Sequence, residues 1–180
     1  GVISDTHDLL RPEALQALQG SDLILHAGDI CGPEVLQALW EIAPVIVDDG
    51  ADIRKVAGDL AAAKQFNGGQ ACISPDYVFV KESQKRALID EFQAKVKQNL
   101  YGDDGKIKKD SIAQIVNDQK FARIRKLFED AVAKGAKVAV GGTLEPGDRT
   151  IHPTLLTEVT PDMQIMQEEI FAPIVPVVTY

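Results

Sequence analysis

Short apolar runs alternate with amphipathic helical stretches along this chain, and that alternation limits the fold more than any other feature. Val2-Ile3, Leu23-Ile24-Leu25-His26 and Pro44-Val45-Ile46-Val47 read as buried strands, separated by helices over 12–19 and 33–41. Pro12 and Pro33 sit where an early helical position tolerates a missing N–H. An Ala-rich helix over 51–66 should stop at Asn67-Gly68-Gly69, where Gly takes up the left-handed conformation. Tyr77 to Val80 is a strand, and 84–99 spaces Leu88, Phe92 and Val96 four apart. Gly102-Asp103-Asp104-Gly105-Lys106 reads as an exposed turn. The segment 118–134 lines up Phe121, Ile124, Leu127, Phe128 and Val132 before Gly135 closes it. Strands at Val138–Val140 and Ile174–Tyr180 complete the pattern. Strand and helix in alternation predict an α/β fold, a mainly parallel sheet flanked by helices.

With 45% hydrophobic and 26% charged side chains in 180 residues, the composition excludes disorder and collagen-like structure. A net charge of -8 opposes nucleic acid and anionic membrane surfaces as partners. No apolar run approaches the roughly 18 residues of a membrane span and no signal-peptide pattern is present, so the expected address is cytoplasmic. The charge is unevenly spread: residues 1–43 hold Arg11 against seven acids, and so carry six of the eight net charges. Cys31 and Cys72, in unlike contexts, form no disulfide framework or metal motif and read as free thiols. The chain opens at Gly1 inside an apolar run and without Met, which predicts a processed or excised fragment.

Two constellations carry chemistry. In the first, Asp5-Thr6-His7 follows one strand and Gly28-Asp29 follows the next, so both fall at the carboxyl edge of a parallel sheet, where ligands bind. Two carboxylates and an imidazole suit a divalent metal such as Mn, Fe or Zn; the alternative is strand-end caps with His26 in the core. Gly1-Val2-Ile3-Ser4-Asp5-Thr6-His7 and His26-Ala27-Gly28-Asp29-Ile30 resemble the DxH and GD blocks of the calcineurin-like metallophosphoesterases. That resemblance implies a divalent metal held by Asp5 and His7, bridged to a second ion by Asp29, acting on a phosphodiester. It departs from the family further on: Ala51 stands at the expected Asn, and His152 is the one later histidine. The ligand set is therefore incomplete.

The second constellation centres on Cys72, in a Gly-bearing loop between a helix and a strand. Gly residues there let backbone N–H groups approach a developing oxyanion, although a cysteine in such a place is more often a small buried hydrophobe. Pro44-Val45-Ile46-Val47-Asp48-Asp49-Gly50, Asn67-Gly68-Gly69-Gln70-Ala71-Cys72-Ile73-Ser74-Pro75-Asp76-Tyr77, Ile115-Val116-Asn117 with Phe121 and Arg123, and Met166-Gln167-Glu168-Glu169-Ile170-Phe171-Ala172-Pro173 stand in order. Together they resemble the catalytic domain of the aldehyde dehydrogenase superfamily, most of all its class 3 and coniferyl-aldehyde branch. Ala172, where that family has Gly, departs within the blocks.

The resemblance implies that Cys72 attacks an aldehyde and that hydride leaves to NAD or NADP. It also implies that Glu169 and Phe171 contact the nicotinamide ribose and ring. Taken without it, Glu168-Glu169 reads as a solvated acidic pair and Phe171 as a core aromatic. The family's water-activating glutamate falls at Ala38, and the dinucleotide-binding domain has no counterpart in the 180 residues, so little or no turnover is expected. The two resemblances meet near Pro44-Val45. The expected organisation is a chimera, with a phosphoesterase-like segment over 1–43, an aldehyde dehydrogenase-like segment over 44–180, and an architecture incomplete relative to either family. One parallel sheet could run through both segments, and uncovered strand edges would favour homo-oligomers. Three functions follow: an aldehyde-oxidising segment, a metal-dependent phosphodiesterase, and a non-catalytic α/β fold.

Overall fold

The computed structural model describes residues 2–3, 9, 11–20, 25–26, 52–72, 74–108 and 111–180. In the head, strand β1 (Val2–Ile3) pairs parallel with β2 (Leu25–His26), and helix α1 (Pro12–Leu18) lies between them in sequence. This is the expected β-α-β order. The expected helix over 33–41, the strand at 44–47 and the candidate metal ligands Asp5, His7 and Asp29 lie outside the described residues.

From residue 52 onward the chain builds one four-stranded sheet with helices on both faces. Helix α2 (Ile53–Gln65) is capped by Asp52, whose carboxylate accepts the Arg54 amide at 3.0 Å. It packs against α3 (Glu82–Leu100). Helix α4 (Asp118–Ala133) starts at Asn117, whose side chain accepts the Lys120 amide at 2.9 Å. The strands β3 (Val78–Val80), β4 (Lys137–Val140), β7 (Thr154–Thr157) and β8 (Ile174–Thr179) stand in the order β3-β8-β7-β4. A small antiparallel hairpin, β5 (Leu144–Glu145) with β6 (Thr150–Ile151), stands apart.

Two of the three ladders in the sheet are parallel, β3 with β8 and β7 with β8. The third, β4 with β7, is antiparallel and broken by a register shift between Val138 and Val140. The expected mainly parallel sheet is thus present, with one antiparallel edge. Among the described residues the β1–β2 pair forms a ladder separate from this sheet, in place of the single sheet expected through both segments.

Strand β7 had no counterpart among the predicted elements. Thr154-Leu155-Leu156-Thr157 has no polar–apolar alternation because all four residues are buried. Leu155 joins the cluster of Leu60, Leu88, Phe92, Val96, Val175 and Val177 under α2 and α3, while Leu156 and Ile174 join Phe121, Ile124 and Leu127 under α4. Alternate residues of one strand therefore feed opposite cores, as the period of two requires.

His152, 7% exposed, ties the end of α3 to the hairpin. The Tyr101 hydroxyl lies 2.7 Å from its Nδ1, and Glu145 Oε1 lies 2.9 Å from its Nε2. A carboxylate only accepts, so the Glu145 contact needs a hydrogen on Nε2, and the Tyr101 hydroxyl shares the second bond with Nδ1. Phe92 is fully buried between α2 and the sheet, whereas Val116 is 70% exposed. Phe92→Ala should lower unfolding free energy by about 3–5 kcal/mol and Val116→Ala by under about 0.5 kcal/mol, read from urea midpoints.

Candidate active site

The loop that carries Cys72 is shaped by three consecutive left-handed residues. Helix α2 runs into a single 3-10 turn, Phe66–Gly69, in which Asn67, Gly68 and Gly69 have φ of 49°, 62° and 70°. At Gly69 the glycine is required by space as well as by backbone angle. A Cβ there would stand 2.4 Å from the Ala172 carbonyl oxygen, well inside contact distance. The loop is therefore pressed against the segment that carries Glu169 and Phe171.

Gln70 fastens the same loop to a third segment. Its Nε2 donates to the carbonyls of Asn67 (2.9 Å) and Gln114 (3.1 Å), and its Oε1 accepts the Val116 amide at 3.0 Å. The carbonyl of Gln70 in turn accepts from Asn67 Nδ2 at 2.9 Å. Two residues beyond this anchor, Cys72 is an exposed free thiol, not the buried hydrophobe that its type favours.

Residues 168–172 are gripped from several sides. Arg123, on α4, donates to Glu168 Oε2 (2.9 Å), to the Glu169 carbonyl (3.0 Å) and to the Ile170 carbonyl (2.7 Å). Asp76 keeps part of its surface exposed but turns its carboxylate inward, where Oδ2 accepts the Ile170 amide at 3.2 Å and the group also takes the Phe171 amide. Lys64, with no exposed surface, donates from Nζ to the Ala172 carbonyl at 3.2 Å. Phe171 itself has φ of 54°, unusual for a bulky residue, and it holds this angle amid these contacts.

Burial sets the electrostatics. Desolvation lowers the Lys64 pKa from 10.5 to about 8, against the pull of Asp76 and Glu169. The Asp76 carboxyl is raised by burial, with Lys64, the two amides and Arg123 acting in the opposite direction. Burial, reinforced by Asp76, also raises the Tyr77 hydroxyl.

Glu169 and Phe171 line one open cleft of about 470 Å³ with Gln70, Val116, Lys120, Arg123, Ile124 and Glu168. Gln70 stands two residues before Cys72, which is not itself among the lining residues. A carboxylate can accept from hydroxyls and an aromatic ring can stack on a flat heterocycle, and this cleft offers one of each. Lys64, Asp76 and the carbonyl contacts of Arg123 did not emerge from motif reading. The signal for Lys64 is its spacing: Ala57, Leu60, Ala61 and Lys64 fall at i, i+3, i+4 and i+7, which puts a lysine on the buried stripe. Among the described residues no group of three or more His, Cys, Asp or Glu could hold a metal. No described helix is long and apolar enough to cross a membrane.

A helix-flanked α/β sheet whose glycine-rich thiol loop is packed against an acidic-aromatic turn defines the class of protein. Residues 42–180 match the aldehyde dehydrogenase family model, and the chain belongs to that family. It is 44% identical over 138 residues to the putative aldehyde dehydrogenase AldX of Bacillus subtilis, covering 77% of this chain and 31% of that protein. It is 33% identical over 191 residues to aldehyde dehydrogenase family 3 member A2 of Rattus norvegicus, covering 99% and 37%. Among solved structures, the substrate-bound Staphylococcus aureus AldH superposes with a TM-score of 0.66 at 33% identity, over 82% of this chain and 33% of that one. The NADP-dependent glyceraldehyde-3-phosphate dehydrogenase of Bacillus halodurans, solved with NADP, gives 0.64 at 26% identity, over 92% and 37%. The chain thus spans about a third of the length of these relatives. None of these relatives lends support to a phosphoesterase segment.

Two outcomes test the site as a folded unit. Gly69→Ala, which forces a side chain onto the Ala172 carbonyl at φ of 70°, should lower stability by roughly 2 kcal/mol or more in urea titrations. Between about pH 8 and 10 the unfolded chain still holds the Lys64 proton that the folded chain has released, so stability should rise across that window, by up to roughly 2 kcal/mol. Above pH 10 the trend should reverse, because Tyr77 stays protonated only when folded. Lys64→Met should flatten the rise between pH 8 and 10 in urea midpoints taken every half unit.

Proposed function

We propose that this chain carries the thiol and nicotinamide half-sites of an aldehyde dehydrogenase and that Cys72 is the nucleophile. One observation carries the reading: Gln70, which lines the cleft together with Glu169 and Phe171, also anchors the turn that carries Cys72 two residues on. The Cys72 thiolate adds to the aldehyde carbon, giving a hemithioacetal whose oxygen faces a loop rich in backbone amides. A nicotinamide nucleotide, NAD or NADP, supplies the hydride acceptor when bound. Glu169 would hold its ribose hydroxyls and Phe171 would lie against its ring. Loss of hydride from the hemithioacetal leaves a thioester on Sγ, and water releases the acid and the thiol.

Deacylation needs a base to activate that water. Position 38, where the family places this glutamate, is Ala, and Glu41 stands out of register. The 180 residues therefore carry thiol chemistry with little or no turnover. Residues 1–43 and 44–180 are read as separate segments, in keeping with a family model that begins at 42. The alignment with the rat relative continues over 99% of the chain, so metal binding by Asp5, His7 and Asp29 and action on a phosphodiester rest on sequence motifs alone.

Iodoacetamide followed by peptide mapping tests the proposal. Cys72 should be alkylated about tenfold or more ahead of Cys31, with NADP+ slowing the reaction. Equal, slow labelling of both thiols would overturn the reading. NAD(P)H formation from an aliphatic aldehyde should stay near background; a rate that vanishes in Cys72→Ser would show that a base is supplied after all.

A further inference from the structure

Lys64 and Asp76 flank the Cys72 loop, one at the end of α2 and the other just before β3, and both reach across to the turn that bears Glu169 and Phe171. Lys64 takes the carbonyl of Ala172, while Asp76 takes the amides of Ile170 and Phe171. Each residue therefore contacts backbone, and together they span three consecutive residues of the turn. Between them Gly69 touches the same Ala172 carbonyl that Lys64 holds.

We propose that Lys64 and Asp76 are positioning residues: a buried ammonium–carboxylate clamp that joins the two ends of the thiol loop to the Ile170–Ala172 backbone and holds Glu169 and Phe171 in register with Cys72. The inference rests on the dehydrogenase reading for what is positioned, but the clamp stands on geometry alone. A purely apolar contact would bury this surface at lower desolvation cost. The presence of a fully buried lysine therefore calls for a role that Leu or Met could not fill. Hydrogen bonds to one carbonyl and two amides supply it, because they fix backbone direction where dispersion contacts fix only distance. The charged groups that act on Lys64 are Asp76 and Glu169, and Arg123 acts in turn on Asp76. The pair therefore feels charges of both signs from the turn and from α4.

Amide exchange followed by NMR on the 180-residue chain tests the clamp without reference to activity. Lys64→Met should exchange about tenfold faster at Ile170 and Phe171, while Ile124 and Leu127 of α4 keep their rates. Lys64→Arg, which still donates to a carbonyl, should restore most of that protection. If Lys64→Met loses its cooperative urea transition, Asp76→Asn carries the same comparison. Equal acceleration at all four amides, or none at Ile170 and Phe171, would overturn the clamp. A second readout addresses what it positions: the NADP+ concentration that half-protects Cys72 from iodoacetamide should rise about tenfold in Lys64→Met and fall back in Lys64→Arg. Absence of NADP+ protection in the unsubstituted chain would defeat the dehydrogenase reading of the cleft and leave the clamp to be decided by exchange.

Discussion

The contact between Gly69 and the Ala172 carbonyl is the constraint on which the rest of the site depends. Backbone meets backbone there without an intervening side chain, so two segments about a hundred residues apart in sequence are brought as close as main chains pack. The surrounding features serve that approach. The left-handed run at 67–69 turns α2 sharply enough to bring the loop in, and Gln70 ties off the opposite side against 114–116. The exposed thiol of Cys72 then projects from a loop that is fastened on both flanks.

A charged residue on the buried stripe of α2 is costly, and its pKa of about 8 shows the size of that cost. The offset comes from the Ala172 carbonyl that accepts from it and from the electrostatic attraction of the Asp76 and Glu169 carboxylates. Arg123 has a distinct part. By holding the Glu168 side chain and the carbonyls of Glu169 and Ile170, it grips the same turn from the α4 side. The turn is thus held between the two layers that sandwich the sheet.

Much of this was legible in the sequence, for identifiable reasons. Helices α3 and α4 announced themselves because each buries a single stripe, α2 through its Ala-rich run, and the Asn67-Gly68-Gly69 break is a strong local signal. The blocks around Cys72 and Glu169-Ile170-Phe171 were visible as motifs, although the meeting of Gln70 from the first with Glu169 and Phe171 from the second in one cleft is a property of the fold. Strand β7 was not legible, since a four-residue strand buried on both faces shows no alternation and its partners β4 and β8 are 13 or more residues away on either side. The antiparallel edge was missed with it. The Lys64 clamp was hidden for a different reason: a lone lysine in an Ala-rich helix reads as solvated until its register against Ala57, Leu60 and Ala61 is counted.

Phe171 occupies the left-handed region, at φ of 54°, where a bulky side chain costs of order 1–2 kcal/mol relative to extended or helical backbone. Its angle is imposed by neighbours rather than chosen by the residue. The turn accordingly behaves as a loaded spring with its catch on either side. Slackening the catch would remove what holds Phe171 in this region, so the position of the cleft's aromatic wall is set by the backbone contacts at 170–172 rather than by the ring's own packing.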